Sequence, residues 1–236
     1  MPKKIRYRYE THLHTLPASK CARRSVRENL EFYKRLGYAG VFITNHFIDG
    51  NASADKSLSY ETQIRQNFAD YIEGIEIGRE LGIDVFMGAE MSYKGTDFLV
   101  YGLDIDWYLS HPEIMDMRKS EELPYLAEAG ALIIHAHPYR EAGYIDHIRL
   151  FPRCVHGVEI YNANRTDLEN RMAREYAKSY SLIPFAGSDN HIGGDQAKLG
   201  GIEFLTPIVD EIDFVDRIKN FDGRIFKKTL KRINRS

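Results

Sequence analysis

The segment Ala131-Leu132-Ile133-Ile134-His135-Ala136-His137-Pro138 carries four apolar residues straight into a pair of histidines and stops at a proline. A short, near-continuous apolar run of this kind predicts a strand covered on both faces. The pattern recurs at Val41-Phe42-Ile43-Thr44, Val85-Phe86-Met87, Phe98-Leu99-Val100-Tyr101, Val158-Glu159-Ile160-Tyr161, Ile183-Pro184-Phe185-Ala186 and Ile202-Glu203-Phe204-Leu205. Amphipathic segments lie between the runs. Ser25 with Glu28 makes a capping box ahead of Val26, Leu30 and Tyr33, and Gly37 follows as a stop. Ile64, Phe68, Ile72 and Ile75 recur at helical spacing before Gly82. Thr166 with Glu169 opens a segment with Met172, Ala173, Tyr176, Ala177 and Tyr180, and Phe214, Val215, Ile218 and Phe221 mark a last helix ending near Gly223. Strand alternating with helix predicts an α/β fold, either a barrel or a doubly wound sheet. The pattern does not choose between them.

The 236 residues contain no internal repeat, low-complexity tract or Pro/Gly/Ser linker, so the expectation is one domain over residues 1–236. A chain of this length buries roughly 70–75% of its unfolded surface and needs no disulfide framework. The two cysteines, Cys21 and Cys154, offer none. Lys+Arg 32 against Asp+Glu 34 gives a net charge of −2, without the basic excess expected of a phosphate-backbone binder. A hydrophobic share of 43% and a charged share of 28% exclude disorder as the general state. No run approaches about 18 consecutive apolar residues, and the first ten residues lack a secretory h-region, so the expected location is the cytoplasm.

What stands out is where the nine histidines fall. His12-Leu13-His14, His135-Ala136-His137 and Asp189-Asn190-His191 share one spacing, and in a strand residues two apart face the same way. Each pair would aim two ligating side chains in one direction, and Glu10 extends the first pair backwards by the same period. His46 closes the run Val41–His46, and Glu90 closes Val85–Glu90. Imidazoles suit Zn, Fe or Mn, and added carboxylates suit harder divalent ions. A lone histidine at a strand end is ordinarily a satisfied core or loop residue. Five strand ends carrying His, Asp or Glu predict a metal site instead, at the carboxyl ends where α/β proteins gather functional groups. His111, His147 and His156 do not fit this placement and are expected to be bystanders.

The ordered motifs Glu10-Thr11-His12-Leu13-His14-Thr15, Thr44-Asn45-His46, Gly88-Ala89-Glu90, Ala136-His137-Pro138 and Gly187-Ser188-Asp189-Asn190-His191 resemble those of the PHP (polymerase and histidinol phosphatase) family, from about residue 7 to residue 205. The resemblance implies a distorted (β/α)7 TIM-like barrel and a site of two or three divalent metals that hydrolyses phosphoesters. It implies His12, His14, His46, Glu90, His137, Asp189 and His191 as ligands. Glu10 stands where the family usually has Asp, which points to a supporting role, and Asn45 replaces the usual Asp of Thr-Asp-His, which costs a hydrogen-bonding carboxylate. Cys21, in Ser19-Lys20-Cys21, stands near a family His ligand, and Asp97 stands near another; both enter the expected metal set. His135 is expected as a buried polar neighbour of His137.

Phosphate also needs cations. Arg140 matches a basic residue after the family's His-Pro, and its planar fork can grip two phosphate oxygens. Arg23 and Arg165 are further candidates, with Lys20 and Arg24 behind them. The implied reaction is hydrolysis of a small phosphomonoester, histidinol-phosphate-like or nucleotide-like, by a metal-bound hydroxide, with Glu90, His191 and Arg140 in the catalytic roles. The expected partners are such a substrate and Zn, Fe or Mn, not a membrane, and long nucleic acid fits the charge poorly. Three alternatives stay open: an amidohydrolase-like C–N hydrolase, a phosphodiesterase or exonuclease on the same metals, and a non-catalytic metal-binding domain. Absence of a Lys at the end of a middle apolar run weighs against the first, and the near-complete ligand set against the last.

Overall fold

The computed structural model describes residues 6–230. Its strands are β1 (Tyr7–Leu13), β2 (Gly40–Ile43), β3 (Asp84–Tyr93), β4 (Thr96–Tyr101), β5 (Leu132–Ala136), β6 (Gly157–Asn162), β7 (Ile183–Gly187), β8 (Lys198–Phe204) and β9 (Arg224–Thr229). The helices are α1 (Val26–Arg35), α2 (Tyr60–Asn67), α3 (Ala69–Leu81), α4 (Ile105–Ser110), α5 (Lys119–Glu128), α6 (Asp167–Ser179) and α7 (Glu211–Lys219), with two short 3-10 turns. One sheet runs β7-β6-β5-β4-β3-β2-β1-β8-β9, and β7 packs back towards β8, giving a nearly closed, distorted barrel.

The barrel departs from a regular (β/α)7 alternation for a local reason. Tyr93-Lys94-Gly95-Thr96 makes a tight turn, with Lys94 at φ 50° and Gly95 at φ 83°, so β4 returns antiparallel on β3 instead of crossing over through a helix. β1-β2-β3 and β5-β6-β7 are parallel sets, while β4, β8 and β9 pair antiparallel. The reversal puts the first residues of β4, and Asp97 with them, at the end where the parallel strands finish.

Both capping boxes form as expected, Ser25–Glu28 on α1 and Thr166–Glu169 on α6. The periodic segment before Gly82 is two helices, not one. It breaks at Phe68, next to Asn67, whose Nδ2 donates to the His46 carbonyl at 2.7 Å. Ile72, on the expected apolar stripe, is instead exposed, as are Met172 of α6 and Tyr180 just after it.

One end of the barrel interior is filled by aromatics. Phe214 of α7 reaches up between the strands, its ring centroid 4.2 Å from Phe42, 5.3 Å from Tyr101 and 6.2 Å from Phe185. Tyr9, Phe86, Leu132, Ile134 and Phe204 complete this cluster. Outside, α1 and α3 cover β1 and β2 through Leu30, Tyr33, Ile43 and Ile77. The other end is open and polar.

Candidate metal centre

Strict two-residue alternation does not build this site; local departures from it do. The β1–β2 register slips between Glu10 and Leu13, a bulge-like irregularity of the kind that re-aims side chains next to functional sites. Tyr9 therefore packs in the interior cluster while Leu13 packs under α1. Glu10 does not share a face with His12, contrary to the two-residue expectation. Its Oε1 accepts from the N–H groups of Thr11 (3.1 Å), His12 (3.0 Å) and Ser188 (2.9 Å), and its Oε2 accepts from Ser188 Oγ. The carboxylate pins the slipped segment to the loop after β7 and supports the site without facing a metal. Burial pushes the Glu10 carboxyl up to about 7, against the opposing hydrogen bonds from Ser188 and His12.

β6 slips in the same way between Glu159 and Tyr161. Glu159 and Asn162, three residues apart, both reach the site. Glu159 Oε1 accepts from His12 Nδ1 at 3.0 Å, and Oε2 accepts from the His137 N–H (3.0 Å) and Asn162 Nδ2 (2.9 Å). Asn162 Nδ2 also donates to Asp189 Oδ2 at 3.2 Å. Neither residue is among the sequence candidates. The signal was present in Glu159, a carboxylate set inside an apolar run. Gly187 makes room for the contact, since a Cβ there would lie 2.5 Å from His12 Cβ and 2.8 Å from Glu159 Oε1.

At β5 and β7 the turn is sharper. His137 (φ 25°) and Asp189 (φ 53°) hold positive φ, a strained conformation for residues with a Cβ and one that concentrates at functional sites. β5 ends at Ala136, so His137 belongs to the turn and swings into the site. His135 does not accompany it. Its ring stacks on Phe98 at 5.0 Å and meets Tyr176 edge-on at 5.8 Å, and neither ring nitrogen has a partner. Burial, with the neighbouring His137, drives it down to about 3. The shared-face expectation for this pair fails because the strand has ended between the two.

Glu90 occupies the middle. Its Oε1 lies 3.3 Å from His12 Nε2 and 3.1 Å from His137 Nε2; its Oε2 lies 3.3 Å from His14 Nε2 and 2.8 Å from His46 Nδ1. Asp189 Oδ1 is 3.6 Å from both His12 and His14 Nε2 and 3.3 Å from His191 Nδ1. Burial alone would raise the Glu90 carboxyl, but His46, His12 and His137 around it drive it well below the usual range. Asp189 is likewise lowered, its burial outweighed by His12, His191 and His137. His14 moves the other way: burial, then His191 and His46, push its ring well down and keep it neutral.

The hydrogen-bond partners fix which nitrogen faces inward. Glu159 can only accept, so His12 carries a proton on Nδ1, and Nε2 is the atom turned to Glu90 and Asp189. Ser19 Oγ donates to Asn45 Oδ1 at 2.8 Å and so receives His14 Nδ1–H at 3.1 Å, leaving His14 Nε2 bare. The carboxylate missing at Asn45 is supplied from α3. Buried Asp70 accepts from Thr15 Oγ1 at 2.6 Å, the Ala18 N–H at 3.2 Å and Asn45 Nδ2 at 3.3 Å.

Four overlapping groups have ligand atoms within 4.8 Å of one another: His12/His14/Glu90, His12/His137/Asp189, Glu90/Asp97/His137 and His14/Cys21/His46/His191. The structure thus brings together all nine residues of the expected metal set. The donor chemistry fits divalent cations, and Glu90 Oε2 and His46 Nδ1 are fully buried without a hydrogen bond, as atoms awaiting a cation would be. Overlapping groups that share Glu90, His12 and His14 are consistent with a site for more than one ion.

A cleft of about 840 Å³ opens over these groups, lined by Cys21, Asp97, Asp189 and His191 and by the cations Arg23, Lys94, Arg140 and Arg165. Arg140 Nη2 lies 2.8 Å from Asp97 Oδ2, and its Nε is buried and unpartnered. Arg24 pairs with Asp195 at 2.7 Å, and neither it nor Lys20 is among the residues lining the cleft. The three bystander histidines are elsewhere: His111 stacks on Trp107 at 4.2 Å, His147 is exposed beside Asp146, and His156 Nδ1 accepts from the Ile133 N–H at 3.1 Å.

A family model described as PHP-associated matches residues 167–221, the stretch from α6 through the Asp189 loop to the end of α7. No curated protein matches the chain by sequence. Among solved structures, the chain is similar to a two-domain Bacteroides vulgatus protein containing a "predicted PHP-like metal-dependent phosphoesterase", at TM-score 0.69 and 14% identity. That match covers 94% of this chain and 65% of the other, so the chain spans about two thirds of that protein. It is also similar to PsfC from Pseudomonas syringae (TM-score 0.60, 18% identity, 96% and 93% covered). A third similar structure is an amidohydrolase from Chromobacterium violaceum with bound sulfate (TM-score 0.55, 13% identity, 92% and 97% covered). The chain is PHP-like in fold, and residues 167–221 carry the PHP-associated signature.

Proposed function

We propose that this protein is a metal-dependent phosphoesterase, and that its substrate is a small phosphomonoester. The observation that carries this is Glu90, whose two oxygens each face a different pair of imidazoles, His12 with His137 and His14 with His46. A carboxylate so placed can bridge two cations. Divalent ions held there would supply Lewis acidity and a hydroxide nucleophile near neutral pH. The protein's own contribution is orientation and charge. Glu159 and Ser19 hold His12 and His14 in the ligating tautomer. Arg140 lines the cleft beside Asp97, and its fork is the group to neutralise non-bridging phosphate oxygens, with Arg23 and Arg165 lining the same cleft. His191, expected in a catalytic role, faces Cys21 and Asp189 together, so we place it among the metal donors.

A monoester is favoured because it carries close to two negative charges near neutral pH and gains most from a cationic cleft. The amidohydrolase reading draws support from one similar fold. Buried Lys119, however, is committed to Asp49 at 3.0 Å and Glu122 at 2.7 Å and is not free to carry a metal-bridging group. The test is turnover by metal-reconstituted protein. p-Nitrophenyl phosphate should be cleaved faster than bis(p-nitrophenyl) phosphate, with inorganic phosphate competing and N-acylated amines untouched. Preference for the diester would move the assignment to a phosphodiesterase. Amide cleavage without phosphate release would overturn it.

A further inference from the structure

Three of the four donor groups contain a carboxylate; the fourth, whose Cys21, His46 and His191 line the cleft, contains a sulfur instead. We propose that Cys21, His46 and His191, with His14 beside them, form a thiolate–imidazole position that takes a thiophilic divalent ion such as Zn²⁺ in preference to Mn²⁺. The positions around Glu90, Asp97 and Asp189 are correspondingly the harder ones. This inference rests on the metal-dependent reading above and adds which ion goes where.

The loop carrying Cys21 is built onto its partners. Two residues before it, Ser19 Oγ accepts from the His46 N–H at 3.0 Å; two residues after it, the Arg23 N–H donates to the His191 carbonyl at 2.8 Å. The main chains of the two flanking imidazole residues therefore clamp the segment from which the sulfur projects. His46 Nδ1 is fully buried and makes no hydrogen bond, although Glu90 lies beside it. All four donor atoms lie within 4.8 Å of one another, close to what two metal–donor bonds of about 2.0–2.3 Å can span. His14 Nε2 also faces Glu90 at 3.3 Å, and one lone pair serves one ion. Were it used there, Cys21, His46 and His191 would remain, and three protein donors with an open position is the arrangement of a reactive zinc. A thiolate among imidazoles selects Zn²⁺ or Co²⁺, and carboxylates select Mn²⁺.

Cobalt substitution of the full chain, read by absorption and metal analysis, tests this. Wild type and Cys154→Ser should show a near-ultraviolet thiolate-to-cobalt charge-transfer band. Cys21→Ser should lose that band and about one equivalent of Co²⁺ while keeping visible ligand-field absorption from the other positions. Excess Mn²⁺ should displace the other cobalt ions first and leave the band. Cys21→Asp should regain the lost equivalent without the band and without the Zn²⁺ preference. Bound cobalt with no charge-transfer band, a band that survives Cys21→Ser, or an undiminished Zn²⁺ preference in Cys21→Asp would each overturn the proposal. Failure to bind any cobalt would instead overturn the metal-dependent reading itself.

Discussion

The same strands serve two opposite ends of the barrel, and the ends are built from different chemistry. β1 carries Tyr9 low in the barrel and His12 near the top; β2 carries Phe42 low and leads to His46; β7 carries Phe185 low and leads to Asp189. At the lower end aromatic rings fill the space and meet at edge-to-face, tilted and stacked angles, which needs no exact pairing of atoms. At the upper end every nitrogen and oxygen must be aimed. The difference shows in the backbone: the upper ends hold two register slips, and two of the ligand candidates there, His137 and Asp189, sit at positive φ. Packing tolerates alternation as it comes. A ligand set does not.

If the two ends are separable, a change at one should leave the other intact. The largest effect is expected at Glu90. Glu90→Gln removes the charge that faces four imidazoles and should bring kcat to background with loss of metal, while the purified protein keeps its far-ultraviolet dichroism. Chelation of the wild type should do the same, reversibly. If Glu90→Gln retains full metal content and turnover, Glu90 does not bridge ions.

The mirror-image change is Phe214→Ala, which empties the lower end. It should cost about 3–5 kcal/mol of stability by denaturant unfolding, as large-to-small changes in a packed core do. Metal equivalents per folded chain and KM should stay at wild-type values. Altered metal stoichiometry in the folded variant would show that the aromatic plug also sets the ligand geometry, and the comparison between ends would fail.

Smaller, and finer in what it separates, is Glu159→Gln. The amide can still accept from His12 Nδ1 or from the His137 N–H, but it cannot hold the charge behind both. Loss of such a supporting carboxylate lowers metal affinity by about 10–100-fold. Titration with a competing chelator measures this directly. An unchanged affinity would reduce Glu159 to a packing residue.

Much of the lower end and of the ligand identities is legible in the sequence, because apolar runs and strand-end histidines are one-dimensional signals. The runs at 98–101, 158–161 and 183–186 lie in strands, the run at 41–44 does so as far as Ile43, and the motifs containing His12, His14, His46, Glu90, His137, Asp189 and His191 converge in space. What period-two alternation could not give was aim. It placed Glu10 beside His12 and His135 beside His137, since a slipped register and a positive φ leave no periodic trace in composition. Glu159 and Asp70 were missed because their roles lie in contacts with other elements, His12 and His137 for Glu159 and Thr15, Ala18 and Asn45 for Asp70, which no local pattern announces. β9 was missed because Arg224–Thr229 offers only two adjacent apolar residues, Ile225 and Phe226, among charged ones at a sheet edge, a weak strand signal.

The smallest effect, and the sharpest contrast within one motif, is expected at His135. His137 is aimed at Glu90, whereas His135 lies among Phe98, Phe151 and Tyr176 with both ring nitrogens unpartnered. An unpaired buried polar group costs about 1–3 kcal/mol, while a phenyl ring of similar volume would keep the stacking. His135→Phe should therefore be neutral or stabilise by up to about 2 kcal/mol, with metal content and kcat unchanged. The pH dependence gives the sign independently. Burial lowers the His135 pKa from 6.5 to about 3, so below 6.5 the unfolded chain binds a proton that the folded chain refuses. Its contribution to stability is thus present above the unfolded pKa and drains away as pH falls from 6.5 towards 3. His135→Phe should flatten the wild-type loss of stability across that window, measured by denaturant midpoints at successive pH values on chelator-treated protein. A variant that lost metal, or that kept the full acid slope, would place His135 with the ligands and not with the core.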